Sequence, residues 1–229
     1  MKRLLLITAV MCLFTSKTIV SGRPYYSENK SKPAYDRSYH FAKGIVNLRI
    51  GFPWVNTFNF NYQALGEISN IGFMGLSLGV DYLYLDRSFV SVSGAGIMDF
   101  LLPFPAPIDY GGIKDHSLSL YGSVSNNHLL IDKRFSVGYG LSFGNDVWNT
   151  INHDHWSEDA PQELVEQESV SRQSHSLGLV FPVYYYSKKN FYCGFVYRPM
   201  LLQFIEEARW TYQHTVSFDF GWQIRLNKR

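Results

Sequence analysis

The stretch Thr211-Tyr212-Gln213-His214-Thr215-Val216-Ser217-Phe218-Asp219-Phe220-Gly221-Trp222-Gln223-Ile224-Arg225-Leu226-Asn227 decides the fold, because it alternates apolar and polar side chains without a slip in its middle. Tyr212, Val216, Phe218, Phe220, Trp222, Ile224 and Leu226 share one parity; Gln213, Thr215, Ser217, Asp219, Gly221, Gln223 and Arg225 share the other. Successive side chains of a strand point to opposite faces, so this is a strand with one greasy and one polar face. It is also far longer than the usual globular strand of about 5–6 residues.

The same dyad pattern recurs in seven earlier stretches. Ile45 to Tyr62 sets Val46, Leu48, Ile50, Phe52, Trp54, Phe58 and Phe60 against Asn47, Arg49, Gly51, Thr57 and Asn59, with the phase expected to survive through Pro53. Met74, Leu76, Leu78, Val80 and Tyr82 oppose Gly75, Ser77, Gly79 and Asp81; Val90, Val92, Met98 and Phe100 oppose Ser91, Ser93, Ala95 and Asp99. Further on, Leu118, Leu120 and Val124 face away from Ser117, Ser119, Tyr121 and Ser123, and Phe135 to Phe143 alternates with Ser136 to Gly144. Leu177 to Tyr185 and Phe191 to Leu201 complete the set, the latter with Arg198 and Met200 on its second face. Eight strands follow.

The connections alternate in length. Asp86-Arg87-Ser88, Asn126 to Arg134, and Ser187 to Asn190 are compact, whereas Gln63 to Ile71, Pro103 to Asp115, Thr150 to Gln173 and Glu206 to Trp210 form longer excursions at the opposite end. A soluble all-β domain would show water a second face rich in Lys, Glu and Thr. Here that face is Gly and Ser, suited to a narrow barrel interior, and the greasy face carries Phe, Tyr and Trp at strand ends as well as centres. The expected fold is therefore all-β, an eight-stranded antiparallel up-and-down transmembrane β-barrel with short periplasmic turns and longer extracellular loops.

Targeting signals agree. Lys2 and Arg3 precede the apolar run Leu4 to Phe14, which is too short to span a bilayer and has the form of a signal-peptide core. Residues 1–22 are read as a signal peptide ending near Val20-Ser21-Gly22, residues 23–43 as a flexible periplasmic tail, and residues 44–229 as the barrel. Cys12 lies inside the apolar run, so only Cys193 remains in the mature chain and no intrachain disulfide forms. The net charge of +2 says little about nucleic acid, but the sequence carries no basic stripe for one, and no nucleic-acid partner is expected.

With these features the chain resembles the small eight-stranded outer-membrane proteins of the OmpA and OmpX kind. It is similar to small barrel proteins of Gram-negative Bacteroidetes in Leu102-Pro103-Phe104-Pro105-Ala106-Pro107-Ile108-Asp109-Tyr110, Ser125-Asn126-Asn127-His128 and Ser136-Val137-Gly138-Tyr139-Gly140-Leu141. The resemblance covers about Lys43 to the C-terminus and implies placement in the bacterial outer membrane rather than a particular activity. One departure stands out: Lys228-Arg229 follow Leu226, where many such proteins end on Phe or Trp.

Candidate functional residues fall in two places. The interior charges are Arg49, Asp81, Asp99, Arg198 and Asp219, with Arg49 expected beside Asp81 and Arg198 beside Asp219, since a charge buried alone is costly. They point to a plug, with a proton or ion path as the alternative. The second place is the acidic stretch His153-Asp154-His155-Trp156-Ser157-Glu158-Asp159, read as part of a recognition loop. Its His and carboxylate groups have the chemistry of a divalent-metal site but not a recognised spacing, so neither metal nor cofactor is expected. Lipid A deacylases of the PagL type use a His and a Ser two residues apart on a strand. His155-Trp156-Ser157 lies in a loop and His128 lacks that Ser, so no catalytic residue is assigned.

The resulting expectation is a non-enzymatic, monomeric barrel surrounded by outer-membrane lipid, recognising partners through its loops. Membership of a larger cell-envelope complex, with an envelope protein as partner, is one alternative. A lipid-modifying enzyme is the other.

Overall fold

The alternation in the sequence becomes one closed sheet. A computed structural model describes residues 40–62, 66–100, 113–152, 170–187, 190–205 and 208–227, all within the compact unit Tyr35–Arg229. The strands are β1 (Val46–Tyr62), β2 (Gly66–Leu85), β3 (Ser88–Phe100), β4 (Ile113–Leu130), β5 (Phe135–Asn152), β6 (Val170–Tyr186), β7 (Phe191–Phe204) and β8 (Ala208–Arg225). Each pairs antiparallel with its sequence neighbour, and β1 pairs with β8 from Asn47↔Arg225 to Asn59↔His214, which closes the ring.

Side-chain period fixes what each wall sees. On β5, Leu141 is 62% exposed while the adjacent Ser142 is 1% exposed. Leu76, Leu78, Val92, Leu120, Val124, Phe143 and Phe195 likewise lie on the exposed outer wall. An apolar belt this extensive is what a bilayer, not water, solvates. β4 and β5 each run 18 residues. At about 3.3 Å per residue and a tilt near 40°, they outreach an apolar band of about 25 Å.

The turn end is compact. Asp86 and Arg87 join β2 to β3, residues 131–134 join β4 to β5, and residues 187–190 join β6 to β7. Ile131, Asp132 and Lys133 all have positive φ, at 44°, 52° and 62°, a left-handed run that L-residues adopt only where surrounding contacts hold it. The opposite end differs from expectation. The excursion expected over Gln63 to Ile71 is mostly strand, because β1 and β2 pair out to Tyr62↔Gly66. Likewise β8 begins at Ala208, inside the expected Glu206 to Trp210 loop. Backbone pairing continues beyond the apolar band wherever two adjacent strands can still satisfy each other's N–H and C=O groups.

The phase of β1 does not survive Pro53. Pro53 pairs with Asp219 and Val55 with Phe218, so Trp54 is an extra residue. Pro has no N–H for the ladder and is tolerated inside a sheet at such a bulge. β2 has its own irregularity at Met74, whose φ is 75°. Asn56 stitches the two bulges by donating from Nδ2 to Pro53 O at 3.3 Å and to Met74 O at 3.2 Å. The consequence is a reversal of faces: Asn56, Phe58 and Phe60 are buried inside, and Thr57 and Asn59 turn outward.

Phe60→Ala should lower the unfolding free energy of liposome-refolded protein by about 3–5 kcal/mol in a urea titration, the cost of emptying a packed core site. A loss as small as that of the outward Thr57→Ala would place Phe60 on the outer wall.

Candidate functional site

The interior is layered. At the turn end, residues 40–45 lie across the mouth ahead of β1, with Phe41, Ala42 and Ile45 buried against Leu83, Phe89, Leu129, Val180, Tyr184, Tyr186, Tyr192 and Val196. Phe41 meets Tyr186 edge-on, with ring centroids 4.9 Å apart. The segment is tied down from several sides. Lys133 Nζ donates to Phe41 O, Lys43 N to Asp86 Oδ1 at 3.0 Å, Asn47 Nδ2 to His40 O at 2.9 Å, and Asn227 Nδ2 to Gly44 O at 2.7 Å. The expected tail boundary at residue 43 thus falls inside a packed element. The left-handed 131–134 turn supplies the lysine that holds it.

Burial holds the His40 imidazole below its ordinary value of 6.5, with the Arg225 guanidinium acting in the same direction and hydrogen bonds to Asn47 and Asn190 opposing. The folded state therefore prefers neutral His40. Its contribution to stability is complete above pH about 6.5, the value in the unfolded chain, and is lost as pH falls from there through the lower folded value. Between pH 7.5 and 5.5 the wild-type urea midpoint should fall more than that of His40→Gln; parallel curves would remove His40 from the pH dependence.

Above this lid lies a belt of charge. Arg49 Nε is 2.8 Å from Asp81 Oδ2, Arg49 Nη2 donates to Ser91 Oγ at 2.6 Å, and Gln223 Nε2 donates to Asp81 Oδ2 at 3.3 Å. The guanidinium sits over the Tyr184 ring at 4.8 Å and near Tyr192 at 5.7 Å. Asp219 accepts from Ser77 at 3.3 Å, from Tyr184 Oη at 3.4 Å and from Tyr192 Oη at 3.5 Å. Gly51 is required beside it, since a Cβ there would collide with Tyr192 Oη, Ser77 Oγ and Asp219 Oδ1.

The structure does not bring Arg198 and Asp219 together as an ion pair. Arg198 registers with Thr215 and Asp219 with Gly194, because β8 runs past the start of β7, where Phe191 pairs with Trp222. Equal counts from the strand ends therefore give unequal heights. Arg198 Nη1 donates to Ser217 Oγ at 3.1 Å and its guanidinium lies over Tyr121 at 5.0 Å. Arg49, Ser77, Arg198 and Asp219 share a cavity of about 20 Å³, room for little more than a water molecule.

Toward the loop end Phe58, Phe60, Ile97, Tyr121, Trp148 and Met200 form a second buried apolar cluster. Asp146 is buried there, accepting from Tyr121 Oη at 3.0 Å and from Ser176 Oγ at 3.4 Å. Sequence reasoning missed Asp146, although it continues the inward phase of Ser136 to Gly144 by one step. Asp99 is buried nearby, accepting from Asn70 Nδ2 at 2.8 Å, with His116 Nδ1 3.9 Å away. His153, Asp154, His155, Trp156, Glu158 and Asp159 lie outside the described residues.

The outer wall holds a polar cluster around His128 at the seam of β3, β4 and β5. Ser88 arrives from β3 opposite His128, with Oγ 3.0 Å from Nδ1; His128 stacks on Tyr139 with ring centroids 5.9 Å apart; Tyr84 Oη donates to Asn126 Oδ1 at 3.0 Å.

Arg49→Ala should cost about 3–5 kcal/mol by leaving Asp81 buried without its counter-charge, whereas Arg49→Met combined with Asp81→Leu should cost clearly less. Urea midpoints in the reverse order would mean that the pair, not the stranded carboxylate, sets the energy.

No family model matches the chain, and no curated protein matches its sequence. Solved structures do match. Ail, the attachment invasion locus protein of Yersinia pestis, aligns with a TM-score of 0.52 at 13% identity, covering 80% of this chain and 99% of Ail. Ail in complex with the heparin analogue sucrose octasulfate aligns at 0.49 and 14% identity over 80% of this chain and 99% of that one. Neisserial surface protein A aligns at 0.44 and 11% identity, covering 79% and 97%. The chain has the fold of the small outer-membrane barrels with eight antiparallel strands closed in a ring.

Proposed function

We propose that this chain is a non-enzymatic outer-membrane anchor with a filled interior, whose working surface is the set of loops projecting outside the cell. Export by the signal peptide of residues 1–22 fits this placement, with the tail and turns in the periplasm. Two groups of buried side chains inside the barrel support this reading. Phe58, Phe60, Tyr121 and Trp148 occupy one end and Phe41, Tyr184, Tyr186 and Tyr192 the other, with the Arg49, Asp81 and Asp219 belt between them. An eight-stranded barrel has an interior just wide enough for side chains, which supports an anchor over a pore.

The loop chemistry narrows the partner class. Thr150 to Gln173 carries Asp154, Glu158, Asp159, Glu163, Glu166 and Glu168 against Arg172. Such a surface repels a polyanion like the sulfated sugar bound to Ail and favours a neutral or cationic partner.

Planar-bilayer recordings should show negligible conductance both for the whole protein and for a variant lacking residues 154–168, which should still fold because the barrel closes without that loop. Stable, large conductance steps from the unaltered protein would replace the anchor with a transport function.

A further inference from the structure

Near the turn end, the outer wall is apolar or aromatic on most strands: Val46 and Leu48 on β1, Tyr82 on β2, Phe191 on β7, Trp222 and Ile224 on β8. The seam of β3, β4 and β5 departs from this, placing Ser88, Asn126 and His128 on the outer face. Polar side chains facing lipid are costly unless paired. Those here pair only in part.

Asn126 uses Oδ1 to accept from Tyr84, which leaves both Nδ2 donors without a protein partner among the described residues. In the tautomer in which Ser88 donates to His128 Nδ1, the ring proton is on Nε2, which likewise has no acceptor among the described residues. Directly below, Arg87 and Arg134 are exposed, and neither forms an ion pair among the described residues. Both belong to the base of β4: Leu129 N donates to Arg87 O at 2.8 Å, and Arg134 N donates to Leu130 O at 3.2 Å. The seam thus presents two guanidinium groups, an amide NH₂ and, in that tautomer, an imidazole N–H, none with a side-chain acceptor among the described residues.

We propose that this seam holds a phospholipid of the leaflet facing the turns. Its phosphodiester lies against Arg87 and Arg134, its glycerol ester carbonyls accept from His128 and Asn126, and its acyl chains follow Val90, Val124 and Leu141 up the wall. Donor-only groups stacked from the rim into the apolar band match the order of acceptors in a phospholipid: anionic phosphate outermost, neutral ester oxygens next, hydrocarbon last. The site rests on the reading of the barrel as membrane-spanning with its turns toward the periplasm, where the facing leaflet is phospholipid.

The test is native mass spectrometry of protein released from mild detergent containing phosphatidylglycerol. Wild type should retain one lipid at a level roughly tenfold above Arg87→Gln with Arg134→Gln, the effect of losing hydrogen bonds to a charged group. His128→Phe, which preserves the ring stack on Tyr139, should also retain less, and Arg209→Gln at the opposite end should match wild type. Equal retention by wild type and the double variant, or an equal loss in Arg209→Gln, would overturn the site. So would wild type that retains added lipopolysaccharide but no phosphatidylglycerol. Folding of each variant into liposomes, read from heat-modifiable migration on gels, separates the two levels: failure of wild type to insert defeats the membrane reading, whereas equal retention in inserted barrels defeats the lipid site alone.

Discussion

Everything in this structure depends on the pairing of β1 with β8. A bilayer core supplies no water to satisfy peptide groups, so a sheet can cross it only when its first and last strands find each other and no edge remains. With eight strands, closure also sets the width of the interior, and that width admits side chains and little else. The Gly and Ser residues of the inner face follow from this, as does the intolerance at Gly51, where the close approach of β8 and β2 side chains leaves no space for a methyl group.

The interior separates two apolar clusters with a belt in which the Arg49 and Asp81 charges meet directly and Asp219 takes its hydrogen bonds from phenols and a serine. Aromatic rings do double duty in this arrangement. Tyr184 and Tyr192 lend their faces to Arg49 and their hydroxyls to Asp219, so one pair of side chains links an acid to a base that are not in contact. The lid at the mouth extends the same economy, with one lysine on a left-handed turn and one asparagine from the chain end closing what the strands leave open.

The candidate site was only partly legible beforehand. Arg49 and Asp81 are legible because both lie on regularly alternating stretches, β1 before its bulge and β2 beyond its own, that pair in continuous register. Arg198 and Asp219 were identified as interior charges for the same reason, but their heights were misjudged, because register across a hairpin is set by where pairing begins at the turn and not by counting from strand ends. Ser88 and His128 are forty residues apart in sequence and meet only because β3 and β4 pair. No local pattern carries that information.

By itself, the sequence determined the class of fold and the face of most residues, since a period of two is a local property that survives without knowledge of neighbours. Only the tertiary structure decided where the period breaks. The bulge at Trp54 is invisible in the sequence because Phe58 and Phe60 fit a lipid-facing and a buried wall equally well, and the choice falls to the pairing of β1 with β8 and to Asn56, which bonds both bulged strands. The interior packing was likewise a tertiary outcome: which charges meet, which rings cover them and how the segment before β1 seats in the mouth depend on distances across the barrel, and those exist only after it closes.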